Sequence, residues 1–399
     1  MPAIYLDHNA TTPLDPRVAE AMWECERQFP ANPSSQHAAG RRARAALEDA
    51  TEAIAALLGV PLGGARPARL VFTSGGTEAN NLAILGLCAS PSDRLVVAGV
   101  EHSSLLGPAR ELVRRGNPVD TLRVDRDGRI DLEHLAALLE RPVRLVSIQT
   151  ANHETGVLQP LAEAAALAAA HGALLHTDAV QAVGKIPVDF AALGVSALSA
   201  AAHKFRGPRG IGLLALAHGI EPRPQAFGGF QHHGLRPGTE PLALVVGMRV
   251  ALELWRAAQV ALQATMTELR DRLEAELKTY PGAVVHACRA PRLPQTSAVS
   301  FPGLDRQSLL MALDLAGVAC STGSACASGS SEPSPVLQAM GCDPPLIVSA
   351  LRFSLGSATT AAEVAEAARR ILKTCNDLRE RQNRGKNPLA SRTGGGNSL

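Results

Sequence analysis

The chain has 399 residues, 46% of them hydrophobic, and a formal net charge of +2, enough length for roughly two or three domains and enough apolar mass for one or two large cores. So small a charge gives no reason to expect nucleic acid, and no apolar run reaches the roughly 18 residues of a membrane span. The opening MPAIYLDHNATTP lacks a basic-then-apolar export signal, and seven irregularly spaced cysteines argue against both a disulfide framework and a metal site, so the expectation is a soluble, cytoplasmic, metal-free protein.

From about 65 to 217, short apolar runs alternate with helical patterns: RLVFTS then EANNLAILGL, RLVVAGV then SSLLGPARELVRR, VRLVSIQ then LAEAAALAAAHG, followed by ALLHTD, SALSA and GIGLLAL. This predicts an α/β architecture of βα units with a mostly parallel sheet. Ligands of such sheets bind beyond the carboxyl ends of the strands, so the polar residues there become candidates. Gly76 and Thr77, in FTSGGTEANN, open a helix whose N-H groups suit a phosphate, although a plain tight turn is the alternative. His102 follows the next run, Asn152 the one after, and Asp178 closes ALLHTD with Gln181 just behind it. Each alone reads as a helix cap or a hydrogen-bonded polar group. With Lys204, which follows SALSA in AHKFRGPRG, they accumulate at successive strand ends facing one crevice. Lysine is scarce here, five residues against 34 arginines, and only an amine forms a Schiff base, so Lys204 stands out.

A Pro-free pattern from about 247 to 279 predicts a long helix connecting to a second domain of about 280 to 375, with strands TSAVSFPG and SALRFSL. Arg352, in the second of these, has a planar fork that suits a carboxylate. Cys25, Cys88 and Cys288 lie in helix- or strand-like runs and are expected in the core. Cys326 is different: it sits in STGSACASGSSEPSP, a composition that describes a surface loop rather than a core element. The end, QNRGKNPLASRTGGGNSL, is expected to be disordered.

A phosphate cradle, an amine, an acid and a carboxylate clamp together describe pyridoxal phosphate. Over about 4 to 375 the chain resembles the cysteine desulfurases of the NifS and IscS type, in the class V aminotransferase group, through YLDHNATTP, NPSSQHAAG, FTSGGTEANN, GVEHSS, ANHETGVLQP, HTDAVQAVGK, AHKFRGPRGIG, GLRPGTEP, STGSACAS with SEPSPVL, and LRFSLG. The resemblance implies the fold type I of pyridoxal phosphate enzymes: a large domain with a mostly parallel seven-stranded sheet and a smaller α+β domain. The corresponding division is an N-terminal segment, 1–15, packing with the small domain; a cofactor-binding domain, 16–255; a small domain with the cysteine loop, 256–375; and the tail, 376–399. Lys204 would hold the cofactor as an imine and remove the substrate Cα proton, and Asp178 would pair with the pyridinium nitrogen. His102 would stack on the ring; Gln181 and Asn152 would bond its phenolic oxygen; Gly76, Thr77 and His203 would hold the phosphate; and Arg352, with Asn152, would clamp the carboxylate of L-cysteine. Thr239 would reach the phosphate of the neighbouring subunit in a homodimer. Cys326 would take sulfur as a persulfide and surrender it to an acceptor protein such as an iron-sulfur scaffold or a thiolation enzyme; the length of its segment resembles the long-loop branch of the family. Departures from the pattern are Ala201 in place of a phosphate-binding serine, His232-His233, and Pro237. A selenocysteine lyase or another class V enzyme, and a non-catalytic scaffold, are the alternatives.

Overall fold

The computed structural model of the protein describes residues 3–323 and 333–386. Twelve strands occur among them: β1 (Ile4–Tyr5), β2 (Arg69–Thr73), β3 (Leu95–Ala98), β4 (Val119–Leu122), β5 (Leu145–Ser147), β6 (Leu174–Asp178), β7 (Ala197–Ala201), β8 (Gly212–Leu216), β9 (Val284–Val285), β10 (Thr296–Ser300), β11 (Val318–Ala319) and β12 (Ala350–Ser354). The main sheet has seven strands in the order β2-β8-β7-β6-β5-β3-β4. Only β8 runs against the rest, pairing antiparallel with both β2 and β7. Strands β5, β7 and β8 are buried along their whole length, because helices cover both faces, and this is why their sequences are continuous apolar runs rather than alternating ones. The six runs expected as strands all form. The seventh, β4, carries a half-buried Asp120 and an exposed Thr121 at the sheet edge, so its apolar signal is weak.

Two further sheets make a second core: the antiparallel β12-β10-β9 and the parallel pair β1-β11. Leu6, Phe301, Leu309, Phe353 and Ile371 fill it. One helix, Leu242–Leu277, joins the two cores, contributing Val245, Met248 and Leu252 to the large one and Leu269, Leu273 and Leu277 to the small one. It starts before Gly247, which is tolerated because a Cβ there would meet the Met22 sulfur at 2.7 Å.

Two expectations change. Cys25 and Cys88 are buried, but Cys288 is exposed: β9 ends at Val285 and Ala287 takes a left-handed φ of 55°, which turns the chain outward. The last helix, Ala361–Lys386, runs past residue 375, where the disordered tail was expected to begin, with Cys375 and Leu378 continuing its apolar face into the small core.

Candidate active site

Every candidate from the main sheet lies at a strand's carboxyl end, and two of them, Asp178 and His102, are linked by hydrogen bonds through Asn80 and Ser104. Asp178, the last residue of β6, is buried; its Oδ1 accepts from the Val180 amide at 2.9 Å and its Oδ2 from Asn80 Nδ2 at 2.8 Å. Asn80 Nδ2 also lies 2.9 Å from Ser104 Oγ, which in turn is 2.8 Å from His102 Nδ1. His102 caps the helix Ser103–Arg114, so the local signal that favours a cap also fixes the ring's position. Its ring meets His153 edge-on, the centroids 5.1 Å apart.

Lys204 follows β7 in a single turn of 3-10 helix. Its Nζ donates to the carbonyl oxygens of Asn9 at 2.6 Å and Ala10 at 2.8 Å. The segment 9–12 therefore lies over the lysine; Thr12 Oγ1 donates to the His203 carbonyl at 2.8 Å and accepts from the Arg206 amide, while His203 Nδ1 lies 3.2 Å from Thr11 Oγ1. Burial pushes His203 down to about 4, so its ring is neutral at pH 7. Gln181 donates to Asn9 O at 3.0 Å and accepts from Lys185 Nζ at 2.5 Å. Lys185 is buried, with no carboxylate in ion-pair range among the described residues, and burial drives it well below the ordinary lysine value.

The helix Gly76–Leu87 follows β2 with no side-chain cap, which leaves its first amides open. An added Cβ at Gly76 would lie 2.7 Å from Val180 Cγ2 and 3.6 Å from the Ala201 Cβ, so the glycine leaves room above β6 and β7. Thr77 lines the same shallow cleft as His102. Asn152 spends its carbonyl on the turn after β5, accepting from the Glu154 and Thr155 amides, and one Nδ2 proton on Val100 O. The second Nδ2 proton is left for a ligand.

Arg352, in β12, is buried. Its Nη2 bonds Asp7 Oδ1 at 2.7 Å, its Nη1 donates to the His153 carbonyl at 3.0 Å, and its Nε has no partner among the described residues. Its backbone exchanges two hydrogen bonds with Ser321, at the start of the segment that holds Cys326. Cys326 itself lies outside the described residues, but both ends of its segment meet one side chain. Ser334 Oγ donates to Glu154 Oε2 at 2.5 Å, and a Cβ on Gly323 would lie 2.8 Å from the same oxygen. Burial raises Glu154 above the usual carboxylate range, while its Oε1 stands 3.6 Å from His153 Nε2. Thr239 is not brought to this cluster. It is exposed, its hydroxyl 3.5 Å from Asn32 Nδ2, on a stretch where Phe227 and Phe230 are 88% and 83% exposed.

Asp7, Asn9, Glu154 and Lys185 were not singled out from the sequence as site residues. Asn9 is the most connected: besides its carbonyl, its Nδ2 donates to Thr296 Oγ1 and its amide to Ser354 Oγ, tying the small core to Lys204. The motif YLDHNATTP was the available signal, but nothing local in it says which residue makes the bonds.

Compared with known proteins, residues 4–366 match the family model described as aminotransferase class-V. A cysteine desulfurase of Enterobacter agglomerans is 41% identical over 367 residues, covering 91% of this chain and 90% of its own. The solved NifS-like protein of Rickettsia africae superposes with a TM-score of 0.85 at 32% identity, over 95% of this chain and 99% of that one. A structure titled SspA in complex with cysteine gives a TM-score of 0.77 at 30% identity, over 90% of this chain and 100% of that one. Matched to that model over 4–366, the chain belongs to the class-V aminotransferase family.

Proposed function

We propose that the protein is a pyridoxal phosphate-dependent cysteine desulfurase that converts L-cysteine to L-alanine and retains the sulfur as a persulfide on Cys326. The observation that carries this reading is the convergence of the Lys204 amine, the Asp178-Asn80-Ser104-His102 network and Arg352 with both ends of the cysteine-bearing segment. The residues fit the cofactor. The uncapped amides at Gly76 and Thr77, with His203, suit its phosphate; the Asp178 carboxyl suits its pyridinium nitrogen; and the remaining amide protons of Gln181 and Asn152 suit its phenolic oxygen. Bound there through Lys204, the cofactor supplies an electron sink for the substrate's α- and β-carbons.

The chain's own residues then have defined tasks. Arg352, with Asn152, holds the substrate carboxylate. Lys204 accepts the Cα proton, and the ammonium so formed already has two carbonyl acceptors, Asn9 O and Ala10 O. His102, held from its Nδ1 side by Ser104, relays protons at the substrate. The Cys326 thiolate attacks the substrate sulfur: the C–S bond breaks, an S–S bond forms, and the carbon that loses sulfur gains a proton to become the methyl group of alanine.

A homodimer completes the site, with Thr239 of each copy reaching the other's phosphate. Its support is the pair of exposed phenylalanines beside that threonine. The sulfur then passes to an acceptor protein, in the cytoplasm; among the described residues no helix is long and apolar enough to cross a membrane. The test is to incubate the cofactor-loaded protein with L-cysteine and measure alanine together with the mass of the Cys326 peptide. An added sulfur on that peptide, and loss of alanine formation in Cys326→Ala, are expected; full alanine production by that variant overturns the nucleophile's assignment.

A further inference from the structure

We propose that Asp7 is a resident carboxylate that occupies the Arg352 clamp when no substrate is bound, and so sets how tightly the clamp takes an incoming α-amino acid; the inference rests on the reading of Arg352 as the carboxylate clamp. A guanidinium this deeply buried needs a counter-charge. Among the described residues, Asp7 is the one acidic side chain within ion-pair distance of it, at 2.7 Å.

The pairing is incomplete. Arg352 presents Nε and Nη2 along one edge, the fork that takes a carboxylate with two parallel bonds. Asp7 uses only Nη2, and among the described residues the buried Nε has no hydrogen-bond partner, so half the fork lacks an acceptor. Nη1 is committed to the His153 carbonyl, which fixes the plane of the guanidinium and aims the open edge.

Asp7 is also built to let go. Its backbone is held beside β12 through a bridge to Ser354, and the flanking residues bond Ala319 O and Ser354 O. Its carboxylate, by contrast, has no other side-chain hydrogen bond recorded among the described residues and is 19% exposed, against 5% for the arginine. A substrate carboxylate entering at Nε meets a like charge on Nη2, which either shares the fork at a penalty or turns toward solvent. Asp7 thereby keeps the empty clamp neutral and weakens its hold on any carboxylate.

The experiment uses the cofactor-loaded protein. Dissociation constants for L-alanine come from absorbance titration; KM and kcat are measured for L-cysteine and for cysteamine, which has no carboxylate; and Tm is measured without and with L-alanine. Asp7→Asn keeps an oxygen beside Nη2 and removes the charge. It should bind L-alanine roughly tenfold more tightly and lower the KM for L-cysteine with a smaller change in kcat, leaving cysteamine unaffected. Its Tm without ligand should fall and recover on adding L-alanine, since the ligand restores the missing counter-charge. Unchanged or weaker L-alanine binding overturns the proposal, as does an equal shift for cysteamine. Asp7→Glu keeps the charge and should hold the wild-type ratio of cysteine to cysteamine KM; tightening like that of Asp7→Asn would show that charge is not the cause. Arg352→Gln separates the two readings: if it leaves the KM for L-cysteine unchanged, the clamp itself is wrong, whereas a selective loss there beside a silent Asp7→Asn overturns Asp7 alone.

Discussion

The carboxyl edge of the main sheet and the stretch 226–240 both serve cofactor binding in the function proposed above, yet they are built in opposite ways. At the sheet edge the polar groups are buried or half-buried and bonded to one another within this chain, from Asp178 through Asn80 and Ser104 to His102, and from Lys204 to Asn9. The stretch 226–240 exposes two phenylalanines and Thr239, and His232 and His233 hold left-handed φ values of 48° and 58°. One region is finished by its own chain; the other has surface and shape suited to a second copy. On the proposed function, the difference teaches that a single chain preorganises the chemistry and would leave part of the phosphate's surroundings to a second copy.

The largest test of the finished edge is Lys204→Ala. It should lose alanine formation by at least about 10³-fold, and borohydride reduction followed by peptide mass analysis should find the cofactor on residue 204 of the wild type and nowhere in the variant. Next comes Glu154→Ala, which releases Ser334 at one end of the Cys326 segment and removes the carboxylate packed against Gly323 at the other. Persulfide formation should slow by about 100-fold, as misplacement of a reacting group by about an ångström does, while spectral binding of L-alanine stays as in the wild type; equal rates would remove Glu154 from the site. For the unfinished region, Phe227→Ser with Phe230→Ser should shift the protein toward monomer in sedimentation and weaken cofactor retention by about tenfold, the loss of a modest interface anchor. A variant that stays dimeric with full retention would break the comparison.

Smaller still is Ala201→Ser. The Ala201 Cβ lies 3.6 Å from where a Gly76 side chain would begin, under the open helix start, so a hydroxyl there should add one bond to the phosphate. Cofactor affinity should rise by about fivefold, matching a gain of about 1 kcal/mol. The mildest is Lys185→Met. Folded Lys185 is depressed by burial, so between its lowered folded value and 10.5 the unfolded chain binds a proton that the folded one does not, and wild-type stability rises with pH across that window. The methionine variant should lack that slope in denaturation measured from pH 7 to 10, and should hold the cofactor less well because Gln181 loses its partner.

What was legible in the sequence follows from range. The βα alternation carries strands, sheet class and strand ends together, so Asp178 and Lys204 could be placed from local pattern alone. Asp7 and Asn9 could not, because their partners Arg352 and Lys204 are separated from them by 345 and 195 residues. Glu154 sits in a turn that Asn152 caps, and its neighbours supply no sign that Ser334 would arrive there. Cys288 misled for the opposite reason: AVVHAC has strand composition, but a left-handed Ala287 ends the strand early.

The helix Leu242–Leu277 extends about 54 Å at 1.5 Å per residue, and its two halves belong to different hydrophobic clusters. A beam rooted in both cannot be released from one without stripping apolar contacts from the other. Melting should therefore be a single cooperative event, in which Arg352 of the small core and Lys204 of the large one lose their places together.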